Sequence, residues 1–394
     1  MPHYKYLIIG GGMTADAAAR AIRKRDPNGS VGLISAESDP PYNRPPLSKK
    51  LWKGKPLESI WRKTETLGVN LHLGRRVQSI NPQNNSTVDD HGIVRTFDKL
   101  LLATGGTPRR FPFGAEQINY FRTFQDYQSL RALAEKKLRF AVIGGGFIGS
   151  EIAAALSIVA RDVTMLFPEE GIGMNLFPRD LALFLNDFYR NKGVKVLSQQ
   201  AVLGLKTNGT DLTLQTKSGD DIVVDGVVAG IGTQPNVVLA QMAGLEVENG
   251  IVVDQFLRTN HPDIYAAGDV ASFYNPTLGK RMRVEHEDNA NTMGNYAGRN
   301  MAGESVPYDH LPFFYSDLFE LGYEAVGEVN SRLEMVADWK KPFEEGVIYY
   351  LRNDRVCGVL LWNVWDQVEA ARQLIAESGP FRADNLKGRL PRPS

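Results

Sequence analysis

Cysteine is almost missing from this chain: Cys357 is its only one. One thiol cannot close an intramolecular disulfide, and with no CxxC there is neither a paired-thiol zinc clamp nor a dithiol to relay electrons. A disulfide reductase working through a dithiol is excluded. Long apolar runs are missing too, so no stretch reads as a membrane span. There is no surplus of charge: 45 Lys and Arg balance 45 Asp and Glu, and no broad field draws the chain to nucleic acid, an anionic bilayer or an acidic partner. No low-complexity segment is seen. No Ser/His/Asp set, paired carboxylates or ligand cluster stands out, so no metal is expected. The first strand begins within a few residues of Met1, which leaves no room for a signal peptide ahead of it; cytoplasmic residence is the expectation.

What is there is glycine in a pattern. With 394 residues, 43% hydrophobic and 23% charged, the chain has the composition of an ordinary globular protein and the length of two or three domains. The stretch FAVIGGGFIGSE, residues 140 to 151, closes a strand and opens a helix. Gly144, Gly146 and Gly149 form GxGxxG: the first turns the chain, the second admits a pyrophosphate against bare backbone, the third lets helix and strand pack closely. The run Gly144, Gly145, Gly146, Phe147, Ile148, Gly149 is thus expected to line a dinucleotide, whose phosphates face the free N–H groups of the helix start. Near the N-terminus the pattern occurs once before, as Gly10, Gly12 and Ala15 in GxGxxA. Two dinucleotides are implied.

Each glycine turn sits in a βαβ unit. The first reads as strand from Tyr4, helix from about Thr14 to Lys24 and strand Val31 to Ile34, with Glu37 at the distance where an acid receives ribose hydroxyls. The second reads as helix Gly149 to about Ala160 and strand Asp162 to Phe167, followed by PEEG. Glu169 there would accept adenosine ribose hydroxyls and repel a 2′-phosphate, which favours NADH over NADPH. Glu151 has two readings: a carboxylate answering the helix dipole, or a site residue. Between the units lies PPYNRPPLSKK, residues 40 to 50, a stiff loop too rich in proline for a helix; it fixes Arg44, whose guanidinium can bind phosphate, and Lys49, whose ammonium can meet an electron-rich ring. Short strands then end in LLLATGG, closing on Thr104 and Gly105. Further strands, the last from Val223 to Ala229, lead to GIGTQPN, where Gly232 ends a strand and the chain recrosses into the first domain, which is therefore split in sequence.

The order GxGxxA, ATG, GxGxxG and AGD, together with RPPLSK, LLATGGTPR, LFPEEG, AAGDVASFY, LGKRMRVEHEDNA, FFYSDLFELGYEAVGEV and GVIYYLRNDRVCGVLLWN, resembles the apoptosis-inducing-factor-like flavoproteins of microbial type. These fall within the ferredoxin-reductase-like FAD/NAD-dependent pyridine nucleotide oxidoreductases. The resemblance covers nearly the whole chain. It implies an α/β fold of two Rossmann-like dinucleotide-binding domains plus a small α+β domain: residues 1–116 and 233–306 for FAD, 117–232 for NAD, and 307–394 as a C-terminal domain of interface type. It implies FAD contacts from Arg44, Pro45, Lys49, Val77, Arg122 and Asp269, the last on the ribitol chain. It pairs Lys49 with Glu151 facing the flavin, sets Glu285 and His286 beside flavin and nicotinamide, and has Tyr315, Glu324 and Asn363 close the site. Without the family, His286 reads as a hydrogen-bonded structural histidine.

The implied activity is an FAD-dependent NADH oxidoreductase: hydride from NADH to FAD, then electrons to an external acceptor, whether a small redox protein, a quinone or oxygen. One form of it is a redox sensor holding reduced FAD and NAD⁺ in a stable charge-transfer complex. The alternative is the reductase component of a ferredoxin or rubredoxin electron-transfer chain. A homodimer is a family-level expectation. Glu287 and Asn289 stand where the animal factor has histidines, Trp52 to Gly68 is shorter, and a long insertion is lacking between Ala337 and Val347. These departures argue against a death-signalling or DNA-binding role.

Overall fold

The computed structural model describes residues 1–136, 138–160, 162–209 and 211–391. The chain forms two compact units: Met1–Arg44, Leu57–Thr107 and Gln234–Pro312 make the first, and Pro45–Pro56, Pro108–Thr233 and everything from Phe313 onward make the second.

The first unit is built on a seven-stranded sheet. Its parallel part runs Asn70–His72, Val31–Ile34, His3–Ile9, Val94–Leu102 and Ile264–Ala266 across the sheet. Ser86–Asp89 and Val77–Asn81 extend it as an antiparallel meander. Leu7, Ile8, Leu33 and Leu100 to Leu102 are fully buried, as expected of a parallel sheet covered on both faces. Helix Met13–Arg25 follows the glycine turn, and helix Glu287–Met301 packs along it. That contact is backbone on backbone. A Cβ at Gly294 would lie 2.4 Å from the Thr14 carbonyl oxygen, and one at Gly298 would lie 2.4 Å from that of Ala18.

The second unit repeats the plan. Its parallel sheet runs Val194–Leu197, Asp162–Leu166, Arg139–Ile143, Gly226–Ala229 and Ile118–Tyr120, with the glycine-turn strand again third. A three-stranded antiparallel sheet, Val202–Asn208, Asp211–Thr216 and Asp221–Val224, is attached. The C-terminal part is a five-stranded antiparallel sheet in the order Phe313–Leu318, Leu321–Gly327, Arg355–Trp362, Glu345–Arg352 and Glu334–Lys341, with helix Val368–Ala376. Cys357 is buried in this sheet, its thiol donating to the Tyr350 carbonyl at 3.3 Å.

Three local expectations differ from the structure. The helix expected from Gly149 begins at Phe147, because Gly146 caps it. The strand expected over Val223 to Ala229 is two strands of different sheets, Asp221–Val224 and Gly226–Ala229. Asp225 divides them: its carboxylate takes the Arg139 N–H and guanidinium and the Leu138 N–H, and the Arg139 hydrogen bond leads a set of contacts that holds it down at about 2. The proline-rich loop contains one turn of 3-10 helix, Pro45–Ser48, since the φ that proline imposes suits that turn.

Substituting Gly298→Ala sets a methyl group against a carbonyl that cannot retreat without separating the two helices. We expect a loss of about 1–3 kcal/mol in urea unfolding of the protein; an unchanged midpoint would show that the helices can part freely.

Candidate active site

Both units present the same opening to a dinucleotide. Gly10 and Gly144 stand at φ 131° and 117°, a region that side chains avoid, and a Cβ there would lie 2.1 Å from the Ala103 carbonyl oxygen or 2.4 Å from that of Gly230. Two residues on, Gly12 and Gly146 cap their helices without any side-chain hydrogen bond. A Cβ on either would meet nothing within 4 Å. Bare N–H groups therefore face open space at the positive end of a 13-residue helix in each unit, which fits a pyrophosphate. The third position differs: Gly149 lies against Gly144, where a Cβ would be 1.9 Å from its carbonyl oxygen, while the first unit accommodates the buried methyl of Ala15.

The first unit also carries a set of interlinked charged side chains. Arg44 forms an ion pair with Glu37, and Tyr42 joins both, donating its hydroxyl to Glu37 at 2.6 Å and accepting from Arg44 at 3.0 Å. Burial opposes charge on Arg44, but Glu37, Tyr42 and Asp269 outweigh it and raise its pKa. Arg283 donates to the Asp269 carbonyl at 3.0 Å and to the Glu285 carboxylate at 2.6 Å. His286 caps helix Glu287–Met301. Burial pulls it down to about 4, against the upward pull of Asp269, Glu285 and Asp288. Thr104 and Gly105 are held by Asn236: Thr104 donates its hydroxyl to the Asn236 carbonyl at 2.9 Å, and Gly105 accepts the Asn236 N–H at 3.0 Å. Val77 is buried at the start of its strand.

In the second unit the Glu151 carboxylate, 6% exposed, is met by three donors from two other segments. The Ser48 hydroxyl donates at 2.5 Å, the Ser316 hydroxyl at 2.6 Å, and the Lys49 ammonium stands 3.2 Å away. Lys49 also lies 4.0 Å from the centroid of the Tyr315 ring. Such a pair is costly to bury and strongly destabilising to break on one side; the two serines complete its hydrogen bonding. Tyr315 is paired across the sheet with Glu324, whose carboxyl is pushed up by burial and then by Asp366, with Oε2 lacking a partner. The Asn363 amide is occupied within the sheet, accepting from the Gly322 N–H at 2.7 Å and donating to the Glu344 carbonyl at 2.7 Å. Arg122 lies just before helix Phe124–Ala134, and its N–H reaches Asp126. Gly232 accepts the Arg109 N–H at 2.9 Å. Phe147 meets Phe314 edge-on at 5.1 Å, and Ile148 follows it in the first turn. Glu169 sits on the loop after strand Asp162–Leu166.

Five residues join these groups without having been singled out in the sequence: Tyr42, Asn236 and Arg283 in the first unit, Ser48 and Ser316 in the second. All five lie inside quoted stretches: Tyr42 and Ser48 in PPYNRPPLSKK, Asn236 in GIGTQPN, Arg283 in LGKRMRVEHEDNA and Ser316 in FFYSDLFELGYEAVGEV. Their partners are what the motifs do not show.

Two dinucleotide openings, an acid after each, and a buried Lys–Glu pair under an aromatic ring define a flavin- and nicotinamide-binding oxidoreductase. The chain belongs to the pyridine nucleotide-disulphide oxidoreductase family, whose model matches residues 4–294, and a model described as apoptosis-inducing factor, mitochondrion-associated, C-term matches residues 297–345 and 338–377. It is 33% identical to apoptosis-inducing factor 1, mitochondrial, of Dictyostelium discoideum, over 94% of this chain and 78% of that protein. It is 32% identical to the 5,5'-dehydrodivanillate O-demethylase ferredoxin reductase subunit of a Sphingobium species, over 98% and 96%. Putidaredoxin reductase, solved in its covalent complex with putidaredoxin, matches with a TM-score of 0.91 and 28% identity over 99% of this chain and 97% of that one. The chain is thus an apoptosis-inducing-factor-like FAD-containing NAD(P)H oxidoreductase. Among the described residues no helix is long and apolar enough to cross a membrane, and no metal-ligating group is found.

The depressed His286 pKa makes a pH prediction. Between the ordinary histidine value of 6.5 and about 4, the unfolded chain takes up a proton that the folded chain refuses. Stability is therefore fully present above this window and falls as pH drops through it. In urea unfolding from pH 7 to pH 4, His286→Asn should flatten that part of the profile; a wild-type slope retained in the variant would assign the loss to other groups.

Proposed function

We propose that the protein is an NADH-preferring flavoenzyme in which residues 1–116 and 233–306 hold FAD, residues 117–232 hold NADH and residues 307–394 complete the site. The observation that carries this reading is the duplicated helix start, with Gly12 and Gly146 facing open space. FAD, when bound, supplies acceptance of a hydride from NADH and onward delivery of its electrons. The chain's own residues bind and orient. The N–H groups beside Gly12 and the Arg44 guanidinium would take the FAD pyrophosphate, and Glu37 its adenosine ribose. Asp269 would take the ribitol chain. The N–H groups beside Gly146 would take the NADH pyrophosphate, and Glu169 its adenosine ribose, against a 2′-phosphate. Tyr315 offers a flat face for stacking. Lys49, held beside Glu151 with Ser48 and Ser316, would stabilise negative charge that develops on the flavin ring. His286, neutral near pH 7, would add polarity beside it without a charge.

The electrons leave by one of two routes. A long-lived complex of reduced FAD with NAD⁺, suited to redox sensing, is favoured by a chain with no net charge, which lacks the basic bias that docking an acidic redox protein would use. Turnover onto a small redox protein is the second reading, favoured by the Sphingobium relative named as a ferredoxin reductase subunit over nearly its full length. Anaerobic titration with NADH followed by air separates them. A long-wavelength absorbance band persisting for minutes in air supports the sensor; rapid reoxidation without it supports the reductase.

Lys49→Met tests the assignment of the ammonium. Flavin reduction, followed by stopped-flow absorbance, should slow about a hundredfold, while the NADH dissociation constant from the same traces moves by about threefold at most. Equal losses in both would make Lys49 a binding residue only.

A further inference from the structure

The loop that carries Glu169 is gripped along its length by one helix face. Helix Arg179–Asn191 presents Arg179, Ala182, Asn186 and Tyr189 at helical spacing on one side. Arg179 donates to both carboxylate oxygens of Glu170, at 2.7 and 3.3 Å. Ala182 is so close that a Cβ on Gly171 would lie 2.7 Å from its carbonyl carbon and oxygen. Asn186, 3% exposed, spends its whole carboxamide on the loop: Nδ2 donates to the Glu170 carbonyl at 2.7 Å, and Oδ1 accepts the Ile172 N–H at 3.1 Å. One turn further, the buried Tyr189 hydroxyl donates to the Ser150 carbonyl at 3.0 Å, in the helix that follows the glycine turn. The loop is tied at both ends as well. Gln199 N–H donates to the Glu169 carbonyl at 2.9 Å, and Gly173 N–H donates to the Gly145 carbonyl at 2.8 Å.

Rejection by like charge is worth only what the charge cannot avoid. A carboxylate on a loose loop turns away from a phosphate, and the discrimination is lost; a pinned carboxylate must bear the repulsion. The Arg179–Glu170 pair is exposed and by itself contributes little. The buried amide is different: among the described residues no other hydrogen bond is seen at the Glu170 carbonyl or the Ile172 N–H, and leaving the buried N–H unpaired is costly.

We propose that Asn186 is a positioning residue for nucleotide choice: its buried carboxamide clamps the loop from Glu170 to Ile172, and this clamp turns the charge of Glu169 into selection against a 2′-phosphorylated nicotinamide dinucleotide. This rests on the reading that Glu169 receives the adenosine ribose. Asn186 acts through the loop and touches no nucleotide. The same clamp keeps the Arg179 guanidinium engaged with Glu170 rather than offered to a phosphate.

The test titrates the FAD-loaded protein calorimetrically with NAD⁺ and NADP⁺, and measures KM and kcat for NADH with ferricyanide as acceptor. Asn186→Leu removes both hydrogen bonds at similar volume; Gly171→Ala presses the same loop away from the helix backbone at Ala182. Each should lower the ratio of NAD⁺ to NADP⁺ affinity about tenfold, raise KM for NADH and leave kcat within about twofold. Hydrogen exchange gives a readout in the unaltered protein, where the Ile172 amide should be protected; this holds even if Asn186→Leu does not fold. Fast exchange of Ile172 in the wild type overturns the clamp. Glu169→Gln separates the two levels: if it leaves the ratio unchanged, the reading beneath the proposal fails. If it shifts the ratio while Asn186→Leu and Gly171→Ala do not, the proposal itself is overturned.

Discussion

A phosphate can approach a helix start only where no side chain stands in the way, and this constraint shapes both units. It requires Gly12 and Gly146 at the caps, and it requires the preceding strand to turn so sharply that Gly10 and Gly144 press against neighbouring carbonyls. Those neighbours, Ala103 and Gly230, each follow the strand on one side of the glycine-turn strand, Val94–Leu102 and Gly226–Ala229. The strand that follows the helix lies on the other side. The helix start therefore sits where strand order reverses, the place where open parallel sheets bind ligands. The position of the site thus follows from topology, and its openness from glycine.

Charge is handled differently. The chain carries no net charge, yet it buries several ionised groups, and each is answered inside its own unit. Arg44 has Glu37 and Tyr42; Glu151 has Lys49 and two serine hydroxyls. A buried ion without partners would shift its pKa and neutralise. These networks set opposite charges side by side at low exposure, where a field is least screened. His286 is the contrasting case, a base whose surroundings hold it neutral despite three carboxylates nearby.

The two glycine fingerprints, the acids after them and the alternation of strand and helix were legible in the sequence because their physics is local: a turn, a cap and a period of side-chain burial all fall within about a dozen residues. What was not legible depends on distant partners. Ser316 reaches Glu151 across 165 positions, and Thr104 reaches Asn236 across 132. The break between Val224 and Gly226 went unseen for the same reason, since Asp225 looks like one polar residue in an apolar run until Arg139 is beside it. Asn363 is instructive in another way. Its left-handed backbone, φ 50°, and its fully engaged amide show a turn residue serving the sheet, a role that a motif match does not reveal.

The machinery for holding two dinucleotides is generic, and this limits where the particular chemistry can be encoded. Backbone N–H groups recognise any pyrophosphate, and the acids recognise any ribose with free hydroxyls. Relatives as different in name as an apoptosis-inducing factor and a ferredoxin reductase subunit share about a third of their residues with this chain over most of its length. The destination of the electrons must then depend on side chains outside the fingerprints. The C-terminal antiparallel sheet is the natural place for them. Its inner strands are fully buried around Trp362, Tyr349 and Tyr350 and so are fixed by packing. Its edge strand, Phe313–Leu318, has Phe313, Phe314 and Tyr315 only partly covered. A sheet fixed by its inner strands can carry different side chains along its aromatic edge while the backbone of either dinucleotide opening stays the same, because the constraint that governs those openings acts on backbone and this one acts on side chains.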